Sequence, residues 1–102
     1  MTVLHTVNKS PFGHTALAAC LRTATAEASV LLIEDAVYAA LRETIIAEKL
    51  NSAMKKLRLY VLEPDLRARG YRPEQLIEGV KLVDYGGFVD LVVEHDSVQA
   101  WL

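Results

Sequence analysis

Ser29-Val30-Leu31-Leu32-Ile33, closed by the acidic pair Glu34-Asp35, is the stretch on which the reading of this chain turns. A strand with one face in water alternates apolar and polar residues, whereas this run has no polar position between Val30 and Ile33. An unbroken apolar run of this length predicts a short strand covered on both faces, as in a parallel sheet. Working outward toward the amino terminus, Ala and Leu dominate the run from His14 to Glu27, with Leu17, Cys20, Leu21 and Ala24 at i, i+3, i+4 and i+7. That spacing predicts an amphipathic helix entered through Ser10-Pro11 or Thr15. Before it, Val3 to Val7 reads as a first strand, and Asn8 to Gly13 as its exit loop.

Toward the carboxyl terminus, residues 35–57 are helix-forming almost throughout and predict one long helix or two shorter ones. Leu59-Tyr60-Val61-Leu62 is a third strand, closed by Glu63-Pro64-Asp65. A short helix follows from Asp65 to Arg69, stopped by Gly70. One further helical turn is expected over Pro73–Glu78 and a fourth strand over Val80–Asp84. Gly86-Gly87 then interrupts the chain before a helix over Phe88–Glu94, and Val98–Leu102 forms a terminal strand. Strands alternating with helical stretches define a three-layer α/β fold with a largely parallel sheet. At 102 residues the expected organisation is one domain over residues 1–102.

Apolar residues make up 52% of the chain, more than so small a domain can hide within itself, so some are expected to cover a partner. The net charge is −2, and apart from Lys55, Lys56 and Arg58 the basic residues look scattered, which offers no basic face for nucleic acid. One cysteine excludes an internal disulfide and a disulfide-stapled secreted fold. No apolar run approaches the ~20 residues that cross a bilayer, and Met1 leads straight into strand one without a signal-like segment. The expectation is an untargeted cytoplasmic protein with no membrane contact.

Ligands of open α/β sheets gather beyond the carboxyl ends of the strands. The loop after strand one carries neither G-x-G-x-x-G nor G-x-x-x-x-G-K-[ST], and strand one ends without the carboxylates of a phospho-receiver. No cofactor is expected. Glu34 and Asp35 have no His or Cys at ligand spacing and read as helix-cap or dipole partners, not metal ligands. His5, His14 and His95 lie far apart, with His5 able to point toward helix one. No Ser-His-Asp or Gly-x-Ser-x-Gly pattern is present. Cys20 is the one candidate reactive atom. Its helical neighbours Ala16, Leu17, Thr23 and Ala24 provide neither base nor cation, so a buried, inert thiol is the stronger reading.

Four segments taken together, LHTVNKSP from Leu4, LLIEDAVYAA from Leu31, LYVLEPDLRARG from Leu59 and LVDYGGFVDLVVEHDSVQAWL from Leu82, resemble the DsrH/TusB family of sulfur-relay subunits. The similarity runs from Leu4 to Trp101. It implies a three-layer α/β/α fold with a five-stranded parallel sheet, in a cytoplasmic heterohexamer holding two copies each of three homologous chains. DsrH-like members join DsrE- and DsrF-like chains in dissimilatory sulfur oxidation. TusB-like members join TusC and TusD in passing persulfide sulfur toward 2-thiouridine at the tRNA wobble position.

In both branches the resemblance places the principal sulfur-carrying cysteine on the DsrE/TusD-type partner, which exchanges sulfur with a DsrC- or TusE-like carrier. This chain is then a scaffolding subunit without direct contact to nucleic acid. Cys20 matches a cysteine of helix one in DsrH-like members that TusB-like members often lack, which tilts the assignment toward sulfur oxidation. As a candidate sulfur acceptor its thiolate would attack the outer sulfur of an incoming persulfide and release the donor thiolate. Phe88, Val92, Trp101 and Leu102 are the expected contact residues, because the chain ends on an apolar pair. The competing reading, from a different class, is a stand-alone ligand-binding domain or enzyme using the strand-one loop with Glu34 or Asp35.

Overall fold

The computed structural model describes residues 2–102 and has at its centre one sheet of five parallel strands. In chain order the elements are β1 (Val3–Val7), α1 (Ala16–Thr23), β2 (Ser29–Leu32), a 3-10 segment (Glu34–Ala40), α2 (Ala47–Ala53) and β3 (Arg58–Leu62). They continue with α3 (Glu63–Ala68), a second 3-10 turn (Pro73–Gln75), β4 (Lys81–Val83), α4 (Tyr85–Glu94) and β5 (Ser97–Trp101). The strands lie in the order β4-β3-β2-β1-β5, with β1 pairing β2 on one side and β5 on the other. All four residues of β2 are buried, as its unbroken apolar run requires.

Strand order explains how the two faces are covered. From β1 to β4 the chain steps one strand at a time in a single direction, and right-handed crossovers then put every connection on the same face. Leu17 and Cys20 of α1, Val37 and Ala40 of the 3-10 segment, Leu50 of α2 and Leu66 of α3 fill one core there. They pack on Val7, Val30, Leu32, Leu59 and Val61 of the sheet. The step from β4 to β5 runs backward across three strands, which sends α4 over the opposite face alone. Under it lies a smaller core of Leu4, Leu31, Leu62 and Leu91, with Ile33, Tyr60, Val83 and Phe88 at its margin. Edge strands of a five-stranded sheet stand roughly 19 Å apart. One helix about 10 Å across leaves much of that face thinly covered.

Two expected helices take a different form. Of the two readings of residues 35–57 the structure has the two shorter pieces, the first of them 3-10 and not α, because the middle of the segment pairs with residues 75–77 instead of with itself. Arg42 N–H donates to the Gln75 carbonyl at 2.9 Å, Ile77 N–H donates to the Ala40 carbonyl at 2.8 Å, and Leu41 bridges Leu76 antiparallel. The β-branched run Thr44-Ile45-Ile46 adds a local preference against helix. The glycine pair does not interrupt the last helix but lies inside it, since α4 begins at Tyr85. Asp84 caps it, its Oδ1 accepting from Gly87 N–H at 2.7 Å. A Cβ on Gly87 would stand 2.9 Å from Val83 Cβ, so glycine there lets α4 close onto β4. Helix one is also shorter than its composition predicts, ending at Thr23.

Candidate functional site

At the carboxyl end of the sheet, where ligands of this architecture usually bind, the charged groups around Glu34, Asp35 and Asp65 are tied to one another and to Arg69. Glu34 holds a positive φ of +49°, an uncommon conformation for a residue with a side chain. Its N–H donates to Asp65 Oδ2 at 2.7 Å, so the acceptor on the 3-10 segment comes from α3 and not from Glu34 or Asp35. Asp35 accepts from Arg69 Nε at 3.0 Å and pairs with Nη2 at 2.9 Å, and Arg69 Nη1 donates to the Asp65 carbonyl. Glu34 and Asp35 thus lie in the first turn of the 3-10 segment, where a dipole partner would stand, but neither side chain caps it. Their geometry knits β2 to α3 and leaves no pair of carboxylates aimed at an empty position. Asn8 Oδ1, just beyond β1, is a buried acceptor without a hydrogen-bond partner.

Two histidines that the sequence leaves unassigned become cross-links. His5, almost fully buried on β1, accepts from the Trp101 indole N–H through Nδ1 at 3.0 Å, which fixes the neutral form with its proton on Nε2. Burial pushes this imidazole below its ordinary value. His95, just past the end of α4, stands 2.6 Å from the Leu91 carbonyl through Nδ1 and 2.9 Å from Ser29 Oγ through Nε2. With Nδ1–H donating and Nε2 accepting from the Ser29 hydroxyl, the pair has the hydrogen-bond order of a nucleophile and its base. No spacing rule in the sequence brings Ser29 and His95 together, 66 residues apart. Ser29 is completely buried, however, so its hydroxyl meets no substrate, and the pair serves to close the last turn of α4 onto β2. His14 is exposed.

Cys20 lies on the inner stripe of α1 with 0% of its surface exposed, among the residues of the larger core. Desolvation pushes its thiol up to about 12, so at neutral pH the sulfur is protonated and out of contact with solvent. Among the described residues no group of three or more His, Cys, Asp or Glu is placed to hold a metal ion.

What the chain does present is an apolar surface on the thinly covered side. Phe88 and Leu91 of α4 turn inward. On the outer side Tyr85, Val89, Val92 and Val93 repeat at helical spacing, with Val89 61% and Val93 78% exposed. Asp90 and Glu94 are the only charged residues of the helix. Val98 on the neighbouring edge strand and Leu102, 85% exposed, extend the surface. Of the four expected contact residues, Val92 and Leu102 lie on it, while Phe88 and Trp101 are half-buried against the two cores. Tyr85, Val89 and Val93 were within reach of the sequence. A helix apolar nearly all round signals cover on both sides.

Fold and surface together define a class: small parallel α/β subunits whose available site is an apolar face and not a pocket of reactive groups. A family model described as DsrH like protein matches residues 9–98. The proteins named TusB from Yersinia pestis (strain Pestoides F) and from Pectobacterium parmentieri are each 40% identical to this chain over 99 residues. Those alignments cover 97% of the chain and 100% of each relative. Among solved structures, the ychN protein from E. coli superposes with a TM-score of 0.81 at 19% identity, covering 98% of both chains. A protein of unknown function from Methanobacterium thermoautotrophicum gives 0.74 at 19% identity, covering 96% of both. The chain belongs to the DsrH-like family, and family membership makes it a subunit of a multi-chain sulfur relay. The structural neighbours share its five-stranded parallel fold. Among the described residues no helix is long and apolar enough to cross a membrane.

Proposed function

We propose that this chain is the TusB-like subunit of a hetero-oligomeric relay that passes persulfide sulfur toward 2-thiouridine of the tRNA wobble position. In that assembly it holds the partner chains in place and carries no sulfur itself. The observation that carries the reading is the contrast between its two conspicuous features: the one thiol is sealed in the core, and the outward face of α4 is bare and apolar. Full-length similarity to proteins named TusB supports the tRNA branch over the sulfur-oxidation branch that Cys20 favours.

In this reading the α4 face, with Val92, Leu102 and the margin of Phe88, meets TusC- and TusD-like chains in an α2β2γ2 hexamer, and Trp101, packed on the opposite face of the sheet, contributes from the β5 edge. A TusE-like carrier docks on the partners. Co-expression with TusC- and TusD-like chains, followed by sizing and by intact-mass measurement after incubation with a persulfide donor, tests both halves. The expected result is one assembly in which added sulfur mass appears on the TusD-like chain alone. A stable monomer that ignores both partners, or added sulfur on this chain, overturns the proposal. The second reading, a DsrH-like subunit of a DsrEFH complex with a DsrC-like carrier, rests on the presence of Cys20. Preferential assembly with DsrE- and DsrF-like chains would establish it.

A further inference from the structure

Six of the eleven basic residues, four of them within residues 49–58, lie between the α1–α2 side of the molecule and the amino-terminal end of the sheet. Arg22 sits in the last turn of α1, Lys49 on α2, Lys55 and Lys56 just beyond α2, Arg58 at the start of β3 and Lys81 at the start of β4. All six are exposed, and among the described residues none forms an ion pair, since the three salt bridges use Arg67, Arg69 and Arg72. Glu27, Glu78, Glu94 and Asp96 are carboxylates near this end, the last two on the β1–β5 side, and Glu48 stands next to Lys49 on α2. Glu78 lines the groove beside Lys55, Arg58 and Lys81, and Glu27 donates its backbone N–H to the Lys56 carbonyl. Lys56 Nζ donates to the Ala24 carbonyl at 3.4 Å, and since the chain as a whole is acidic, this concentration of positive charge is local.

Three of the cations border a trough between α1 and α2. Its floor is Ala18, Leu21 and Ala53 and its rim Arg22, Lys49, Ser52 and Lys56. Lys49, Ser52, Ala53 and Lys56 follow one another at i, i+3, i+4 and i+7, facing the Ala18, Leu21 and Arg22 stripe of α1. Helix dipoles account for cations at helix ends, such as Arg22 and Lys56, but not for Lys49 on the third residue of α2 or for a solvent-facing apolar floor. We propose that this trough is the docking site for an acidic amphipathic helix of a partner protein, with apolar side chains laid on the floor and carboxylates on the rim. Charge complementarity selects an acidic occupant. The apolar floor and the absence of an aromatic side chain from the lining select protein over nucleic acid, whose bases would find nothing to stack on. The site lies on the face opposite α4, and the inference stands independently of the sulfur-relay reading.

The test is fluorescence anisotropy of the full chain with a labelled helical peptide that carries leucines along one face and glutamates on both flanks. Saturable binding is expected, weakening at least tenfold as salt rises from about 50 to about 200 mM, and lost in K49E/K56E. The milder pair Arg22→Gln and Lys49→Gln, with circular dichroism on every variant, keeps the result readable if the reversal perturbs folding; it should weaken binding severalfold with the helix content unchanged. Three results overturn the proposal: affinity untouched by these substitutions in folded protein, equal binding of a peptide with glutamine in place of glutamate, or displacement of the peptide by an RNA oligonucleotide at comparable concentration.

Discussion

Cys20 should be all but inert in the folded chain, and the size of the effect follows from its surroundings. The attacking species is the thiolate. With an ordinary value of 9.0, about 3% of a thiol is ionised near pH 7.5; pushed up to about 12, only about three parts in 100,000 remain ionised. Attack on the native protein is therefore slowed about a thousandfold before access is considered, and Sγ has no exposed surface. The alternative route is opening of the chain, which restores an ordinary thiol. For a domain of ordinary stability, at least about 5 kcal/mol, the open population is no more than about 2 in 10,000. Both routes give a native labelling rate at least about a thousandfold below that of the unfolded chain. An aromatic disulfide reagent, followed by absorbance in buffer and in concentrated guanidinium, measures the ratio directly. A native rate within about tenfold of the unfolded one would refute the reasoning, because it requires both access and a thiol close to its ordinary value instead of one pushed up by burial.

Acid should destabilise the chain through His5. Its folded value lies below the unfolded one, so the unfolded state binds the extra proton, and stability is lost as pH falls below about 6.5. His5→Asn, which keeps an acceptor near the Nδ1 position without titrating there, should flatten the acid limb of Tm against pH. On α4, Val89→Asp with Val93→Asp should leave the melting temperature of the isolated chain within a few degrees while abolishing co-elution with partner subunits. Trp101→Ala should weaken association, and Trp101→Phe separates that effect from the lost hydrogen bond to His5, which costs about 1–3 kcal/mol of chain stability by denaturant titration. Gly87→Ala should cost about 1–2 kcal/mol, overpacking against Val83 outweighing the gain in helix propensity. Gly86→Ala, whose nearest obstacle is Asp84 Oδ1 at 3.4 Å, should be neutral or mildly stabilising.

The parallel sheet was legible because its signal is local: an all-apolar run such as Val30 to Ile33 fits one structural setting. Helix one was legible for the same reason, Leu17, Cys20 and Ala24 all facing the core. The 3-10 segment was not, since the pairing of Ala40 and Arg42 with residues 75–77 joins positions more than thirty residues apart. Gly87 misled because a glycine inside a helix reads as a break unless the strand pressing against it is known. At the candidate site, the burial of Cys20 followed from periodicity. The Ser29–His95 and His5–Trp101 links and the clustering of Lys49 with Arg22 exist only once strand order is fixed, and composition holds no trace of them.

The backward step from β4 to β5 also sets the order in which the chain can fold on the ribosome. Strands β1 to β4 can pair in sequence as they emerge. The strand that covers the outer edge of β1, and the helix that shields Leu4, Leu31 and Leu62, lie in the last eighteen residues, with the Thr2–Asp96 contact made across nearly the whole chain. Until residues 85–101 have emerged, the nascent subunit therefore carries an open strand edge beside a naked leucine surface, the state in which chaperone capture or assembly with a neighbouring nascent chain would have the greatest effect.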